Sequence, residues 1–309
     1  MVDRLESKMT KLITGALFGS LSLALALTCA APGQAAGKGA EKKTEKKTET
    51  KAEGKTEGAA VGKPVTNHAA FEALKEGVKL LGEWKPKEAE AKFDEAIKLS
   101  PNYARAYANR AVAHMIQHNF KMALADADKS IALDPKLASG YANKSWAECR
   151  LLKFDQALKD ANEAIELEPN LAIGYVNRSF AQVKLGHAKE SIADANKALE
   201  LMPSLAVAYV NRSHAYTELG EYNKAIEDAN KAISMNPHLA RAFVNRGRAE
   251  RRLGELSKAA EDLNKAISID PTLGSAYYNL GETYQSLAEK NLSEAKKLGF
   301  SMKAEQVKK

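Results

Sequence analysis

The sequence predicts an all-α chain made by repeating one pair of short helices, and three observations predict it. Pro101, Pro135, Pro169, Pro203, Pro237 and Pro271 recur at intervals of 34 residues. An aromatic stands fourth in the units they delimit, at Tyr107, Tyr141, Tyr175, Tyr209, Phe243 and Tyr277. The chain is also poor in aromatics (6%) and in strand-forming runs, while 45% hydrophobic content over 309 residues is enough for a large core.

Taken in order, the chain opens with a basic region (Arg4, Lys8, Lys11) and the uncharged apolar run Leu12–Ala31. Small residues follow, ending Gly33-Gln34-Ala35-Ala36. This pattern predicts a bacterial-type secretory signal over residues 1–36, cleaved near Ala35 or Ala36. Initiation at Met9 gives a shorter charged head. Two alternatives stay open: a weak membrane anchor, because twenty residues at about 1.5 Å each just span hydrocarbon, and a lipoprotein modified at Cys29. Both place the protein in the periplasm or cell envelope. Loss of Cys29 with the signal leaves Cys149 as the one thiol, so no internal disulfide can staple the exported chain. Residues 37–67 alternate Lys, Glu, Thr and Gly with no bulky apolar residue beyond two valines. Such a segment buries too little surface to offset its ordering entropy and is expected to be a disordered linker.

The repeat region is expected over residues 68–309. Its clearest unit is Ala206–Leu239, AVAYVNRSHAYTELGEYNKAIEDANKAISMNPHL. A first helix is expected around Tyr209–Leu219, broken by Gly220, and a second around Tyr222–Met235, stopped by Pro237, which lacks an amide hydrogen. Further units start at Ala104, Ala138, Ala172 and Ala240, and a last one at Gly274. The first unit, from His68, aligns as a 36-residue variant with Phe71 as its fourth residue and an extra pair in the turn around Trp84. The last unit's second helix is expected near Asn291–Gln306 as a polar, lysine-rich cap.

The 34-residue period, the aromatic near each start, Leu219-Gly220-Glu221-Tyr222 at the turn, the paired alanines and the closing proline resemble the tetratricopeptide repeat (TPR) family. The resemblance covers about His68–Glu289. It implies a right-handed α-solenoid of about seven helix-turn-helix units with a C-terminal capping helix, whose first helices line a concave groove. One departure is consistent: the aromatic usual in the second helix is Phe93 in the first unit but Ala127, Ala161, Ala195 and Ala229 in the middle, and Leu263 in the sixth. Those middle units, with the sixth, place a cation seventh (Arg110, Lys144, Arg178, Arg212, Arg246) and an aspartate sixteen residues later (Asp126, Asp160, Asp194, Asp228, Asp262). Co-occurrence predicts a bridge between the two helices of the same unit.

Helical spacing puts the second, fifth, sixth, ninth, twelfth and thirteenth residues of each unit on the groove face. The sixth is Asn109, Asn143, Asn177, Asn211, Asn245 and Asn279. An amide offers a donor and an acceptor, so the ladder is expected to hold an extended peptide without reading its sequence, as against bracing the neighbouring helix. The early face is apolar (Val112, Met115, Ile116, Trp146, Val176, Phe180, Val183). The later face is basic (Lys184, His214, Arg241, Arg248, Arg251, Arg252), with Glu218, Glu250 and Glu282 to offset it and Arg248 placed to bridge Glu282. The expected ligand carries an apolar anchor and acidic groups.

Nothing in the sequence assembles an active site. The histidines His114, His118, His187, His214 and His238 fall at different repeat positions without metal-ligand spacing, and Cys149 reads as a packing residue. No cofactor is expected. With 46 basic against 39 acidic residues, the +7 excess lacks the dense basic stripe of a nucleic-acid binder. The expectation is a non-catalytic module binding a partner protein or extended peptide in the groove. The alternatives are an envelope scaffold using edges or the convex face and, behind it, an RNA-binding helical-repeat protein.

Overall fold

A computed structural model describes residues 67–300; the expected signal, the expected linker except its last residue, Asn67, and the C-terminal tail lie outside them. The described residues form thirteen α-helices and no strand. Twelve make six pairs: α1 (His68–Gly82) with α2 (Pro86–Leu99), α3 (Ala104–Ile116) with α4 (Phe120–Leu133), α5 (Ala138–Arg150) with α6 (Phe154–Leu167), α7 (Ala172–Lys184) with α8 (Ala188–Leu201), α9 (Ala206–Glu218) with α10 (Tyr222–Met235), and α11 (Ala240–Arg252) with α12 (Leu256–Ile269). The thirteenth, α13 (Gly274–Lys297), is 24 residues long. Each helix packs on its sequence neighbours, and each first helix also touches the first helix of the next unit, which is the packing of an α-solenoid.

Every turn is made the same way. The first helices end on a residue with left-handed backbone: Trp84, His118, Leu152, Gly186, Gly220 and Gly254, with φ between 59° and 85°. The next amide then donates five residues back, as Glu221 N does to the Tyr216 carbonyl at 2.9 Å and Lys153 N to Glu148, closing a Schellman motif. These six turn residues are 34 apart throughout. The first unit is therefore a regular 34-residue unit from Ala70, whose helix starts two residues early because Asn67 caps it by accepting from Ala69 N and Ala70 N. There is no extra pair in its turn, and Ala73 stands fourth in place of Phe71; the seventh residue is Glu76, which pairs with Lys79 at 3.3 Å, while Lys92 pairs with Glu95 at 2.7 Å. The last unit departs differently. Its turn position is Ala288, followed by Glu289 and Lys290, all good helix formers. The helix continues through Asn291 to Lys297, and no second helix forms there within the described residues.

The two helices of a pair meet through small residues. Ala89, Ala123, Ala157, Ala225 and Ala259 of the second helices are fully buried. Where the first helix offers serine as eighth residue, its hydroxyl donates to a carbonyl opposite: Ser145 to Ala157 and Ser213 to Ala225, both at 2.7 Å.

The seventh-residue cation joins three helices. Arg212 donates from Nε and Nη2 to the two oxygens of Asp228 in its own unit, each at 2.7 Å, and from Nη1 to Asn196 in the preceding unit. Its guanidinium also lies 5.4 Å from the Tyr209 ring centroid. Arg178 and Arg246 repeat this with Asn162 and Asn230, and Arg110 with Asp94. Lys144 reaches Asp160 at 3.5 Å and Asp128 at 3.3 Å, without the bidentate fork. The expected same-unit bridge is present in all five units, and the sequence pattern had left out its second arm to the preceding one.

Asp228 is 5% exposed, so removing its partner leaves a nearly buried carboxylate uncompensated. Arg212→Leu is expected to cost about 2–3 kcal/mol. Arg212→Leu with Asp228→Leu should cost less than the sum of the singles, by about 1 kcal/mol or more in chemical unfolding. Additive costs would mean that the bridge carries no coupling.

Candidate functional site

The groove side of the solenoid is narrower than helical periodicity implies. Because successive first helices overlap, the twelfth residue of one unit is covered by the next: Cys149 packs on Ala181, and Val183 on Ala215. Met115, Val112 and Ile116 are buried for the same reason and meet no ligand. Burial pushes the Cys149 thiol up to about 12, which leaves it unreactive.

The asparagine ladder is spent largely on bracing. Asn143, Asn177, Asn211 and Asn245 donate through Nδ2 to the carbonyls of Ala108, Ala142, Val176 and Val210, each the fifth residue of the preceding unit, at 2.8–3.0 Å. Asn109 and Asn279 donate to Arg105 and Ser275 within their own helices. Asn109 and Asn143 are wholly buried. Asn177, Asn211, Asn245 and Asn279 also line cavities, so only these four stand where a ligand could meet them.

Two adjoining cavities occupy the groove. The first, about 70 Å³, is walled by Trp146, Val176, Phe180, Val207, Val210 and Leu239, with Arg150 and Arg241 at its edge. The second, about 330 Å³, is bordered by Lys184, His214, Arg241, Arg248 and Tyr278. Phe180, Val210, Asn211 and Arg241 belong to both. The Arg241 guanidinium lies 5.1 Å from the Phe180 ring centroid, and the Lys184 ammonium 5.7 Å from it.

The second cavity has more cation than counter-charge. Glu218 accepts from Arg248 at 2.7 Å and stands 3.3 Å from His214 Nε2. The hydrogen bond from His214, with Arg248 beside it, brings the Glu218 carboxyl to about 2. Burial, then the nearby Arg241 and Arg248, push Lys184 down to about 8. Burial, then Arg150, push Arg241 down to about 10, against the pull of Asp270. The lowered values of Lys184 and Arg241 record buried cations crowded by like charge.

Among the residues read from the sequence as groove residues, Trp146, Val176, Phe180, Lys184, His214, Arg241 and Arg248 converge on these cavities. Arg252 is exposed and lines neither, and Arg248 bridges Glu218 where Glu282 had been expected; Arg251 is the residue 3.8 Å from Glu282. Val207, Val210 and Tyr278 were missed although they stand second and fifth in their units, on the face that the spacing marks. Leu239 precedes α11 and had no helical signal to find it by. Away from the groove, no group of three His, Cys, Asp or Glu among the described residues could hold a metal. No helix there is long and apolar enough to cross a membrane.

These helix pairs define an α-solenoid repeat protein with an apolar-to-basic groove. Three family models match it: "Tetratricopeptide repeat" over residues 74–138 and 206–239, and "TPR repeat" over 247–287. The chain belongs to the tetratricopeptide repeat family, whose repeats are generally non-catalytic protein-interaction modules. A search of curated protein sequences returned no match. Among solved structures, the Cut9–Hcn1 hetero-tetramer of the APC/C is similar at TM-score 0.62 and 18% identity over 69% of this chain, which spans 42% of that chain's length. PilW, a type IV pilus biogenesis factor, matches at 0.56 and 17%, covering 70% of this chain and all of PilW. A tetratricopeptide repeat protein from Parabacteroides merdae matches at 0.53 and 17%, covering 76% of this chain and 95% of its own. At such identities the likeness is one of fold.

The eleventh residue of two units buries a carboxyl at the helix seam. Glu148 is 4% exposed, with Oε2 lacking a partner. Burial, then Asp160, raise it to about 8, and burial, then Asp262, raise Glu250 to about 7. The folded state therefore holds these protons where the unfolded chain has released them. Stability should fall as pH rises from near 4.5 to about 8. In Glu148→Gln the urea midpoint should lose much of this decline; an unchanged profile would remove Glu148 as its source.

Proposed function

We propose that the groove between α5 and α13 binds an extended segment of a partner protein. An apolar side chain enters the Trp146–Phe180 cavity, and a nearby carboxylate rests against Lys184, Arg241 and Arg248. The observation that carries this reading is the shared wall: Phe180 and Arg241 border both cavities, so one short segment can fill the apolar and the cationic space together. Ligand amide hydrogens would be accepted by the Oδ1 atoms of Asn177, Asn211 and Asn245, whose Nδ2 atoms are committed to the fold.

The test is photo-crosslinking in the native cell with the crosslinker at Val207. A captured partner should be lost, with affinity down about 10–100-fold, in Lys184→Glu/Arg241→Glu. It should persist in Arg252→Glu, and its affinity should weaken with salt. Equal capture by the double variant would sink the proposal.

We propose further that the partner is met in the cell envelope. This rests on the basic-then-apolar pattern of residues 4–36. N-terminal sequencing of the protein from fractionated cells should give a mature start near Gly37 in the exported fraction; an intact start in the cytoplasmic fraction would refute it.

A further inference from the structure

In six units the first helix is covered on one side by its own second helix. The eighth residue marks that contact: Ser145, Ser179 and Ser213 reach carbonyls of the second helix, and a Cβ on Gly247 would stand 3.1 Å from the Ala259 carbonyl oxygen. In α13 the equivalent residue is Gly281, and nothing lies within 4 Å of where its Cβ would be. Tyr277 and Tyr284 beside it are half exposed, and Leu292 and Leu298 further along are 54% and 80% exposed. The helix has the surface of a first helix without its cover.

We propose that the cover is α13 of a second copy, packed antiparallel about a two-fold axis at Ala288. Spacing is the first argument. Tyr277, Gly281, Tyr284, Ala288, Asn291 and Ala295 alternate by four and three residues, a heptad seam in which small residues recur at 281, 288 and 295. The seam continues along residues 288–297, which are exposed apart from a half-buried Ala295. Register is the second. Within a unit the eighth residue faces the twentieth and the twenty-fourth of its own second helix, as Gly247 faces Ala259 and Leu263. A two-fold at Ala288 sets Gly281 against Ala295 of the second copy, which is the twenty-second residue of its unit. The seam's own symmetry thus reproduces the pairing that the solenoid uses throughout, in the same antiparallel sense.

Charge is the third argument. Residues 282–289 carry two glutamates and no cation, and residues 290–297 carry three lysines and one glutamate. A two-fold at Ala288 sets residues 290–297 of one helix, with three lysines and one glutamate, against residues 279–286 of the other, which carry Glu282 and no cation, whereas parallel packing sets like beside like. The seventh residue fits as well. Leu280 replaces the cation that elsewhere tethers a second helix bearing aspartate, and it packs half-buried against the core of the preceding unit.

Sedimentation equilibrium of the full chain tests this. The wild type should be a reversible dimer, and Ala288→Glu, which puts two carboxylates face to face on the axis, should weaken it about 100-fold or more. Ala288 is exposed, so helicity by circular dichroism should not change. Single-cysteine variants in a Cys29→Ser/Cys149→Ala background fix the geometry. Ala288→Cys should link to itself, and Gly281→Cys should link to Ala295→Cys but not to itself. A monomeric wild type, a dimer that survives Ala288→Glu, or self-linking Gly281→Cys would each overturn the proposal.

Discussion

The solenoid depends on one recurring contact, the seventh-residue cation held by an aspartate of its own unit and by an aspartate or asparagine of the unit before. The contact matters because the helices it joins have little else between them. Ala127, Ala161, Ala195 and Ala229 leave no ring in the second helices of the middle units, so the apolar area each pair removes from water is small. A guanidinium that takes two oxygens of one helix and a third group from another sets both spacing and rotation, and its stacking on the fourth-residue aromatic keeps water from three sides. The same cation thus sets the geometry within a unit and between units.

Bulk is exchanged between two positions across each pair. Phe93 and Leu263, the large residues at the twenty-fourth position, stand opposite glycines. A Cβ on Gly77 would fall 2.4 Å from the Phe93 ring, and one on Gly247 3.0 Å from Leu263. Opposite the four alanines stand Ala111, Ser145, Ser179 and Ser213, and there the serine hydroxyl fills the gap and satisfies a backbone carbonyl. A large side chain at the twenty-fourth position is accommodated by a glycine opposite, as close packing requires, whereas alanine there meets alanine or serine.

Much of this was legible in residues whose role is set by period alone. Prolines, turn residues and the cation–aspartate pairs announce the fold because each unit makes them face the same surroundings. Misalignment of the first unit came from weighting Phe71 over Trp84: the aromatic is only a packing preference, whereas left-handed backbone is the turn itself. The groove was less legible. Periodicity assigns Met115 and Val183 to the groove face correctly, but overlap with the next first helix buries them, and overlap is a property of the array that no single unit encodes. Glu148 gave no signal, and Glu250 read as counter-charge on the groove face where the structure buries it at the helix seam, because a carboxyl among charged neighbours reads as surface until its burial is known.

The asparagine ladder shows why recurrence and recognition diverge. A residue that recurs must suit what the units share, and four of the six asparagines share a preceding first helix whose fifth-residue carbonyl accepts a second hydrogen bond. Asn143, Asn177, Asn211 and Asn245 answer it with Nδ2, so their conformations are set before any ligand arrives, and the oxygens that remain are held in place rather than free to adapt. Selectivity must then come from residues outside the repeat pattern. Lys184, Arg241 and Arg248 stand at positions that vary from unit to unit: the thirteenth (Ile116, Arg150, Lys184), the second (Arg105, Ser139, Ile173, Val207, Arg241) and the ninth (Val112, Trp146, Phe180, His214, Arg248). Their crowding raises the free energy of the empty groove, and an acidic ligand would relieve that crowding as well as pair with it. An apolar segment without carboxylates would gain only the smaller cavity.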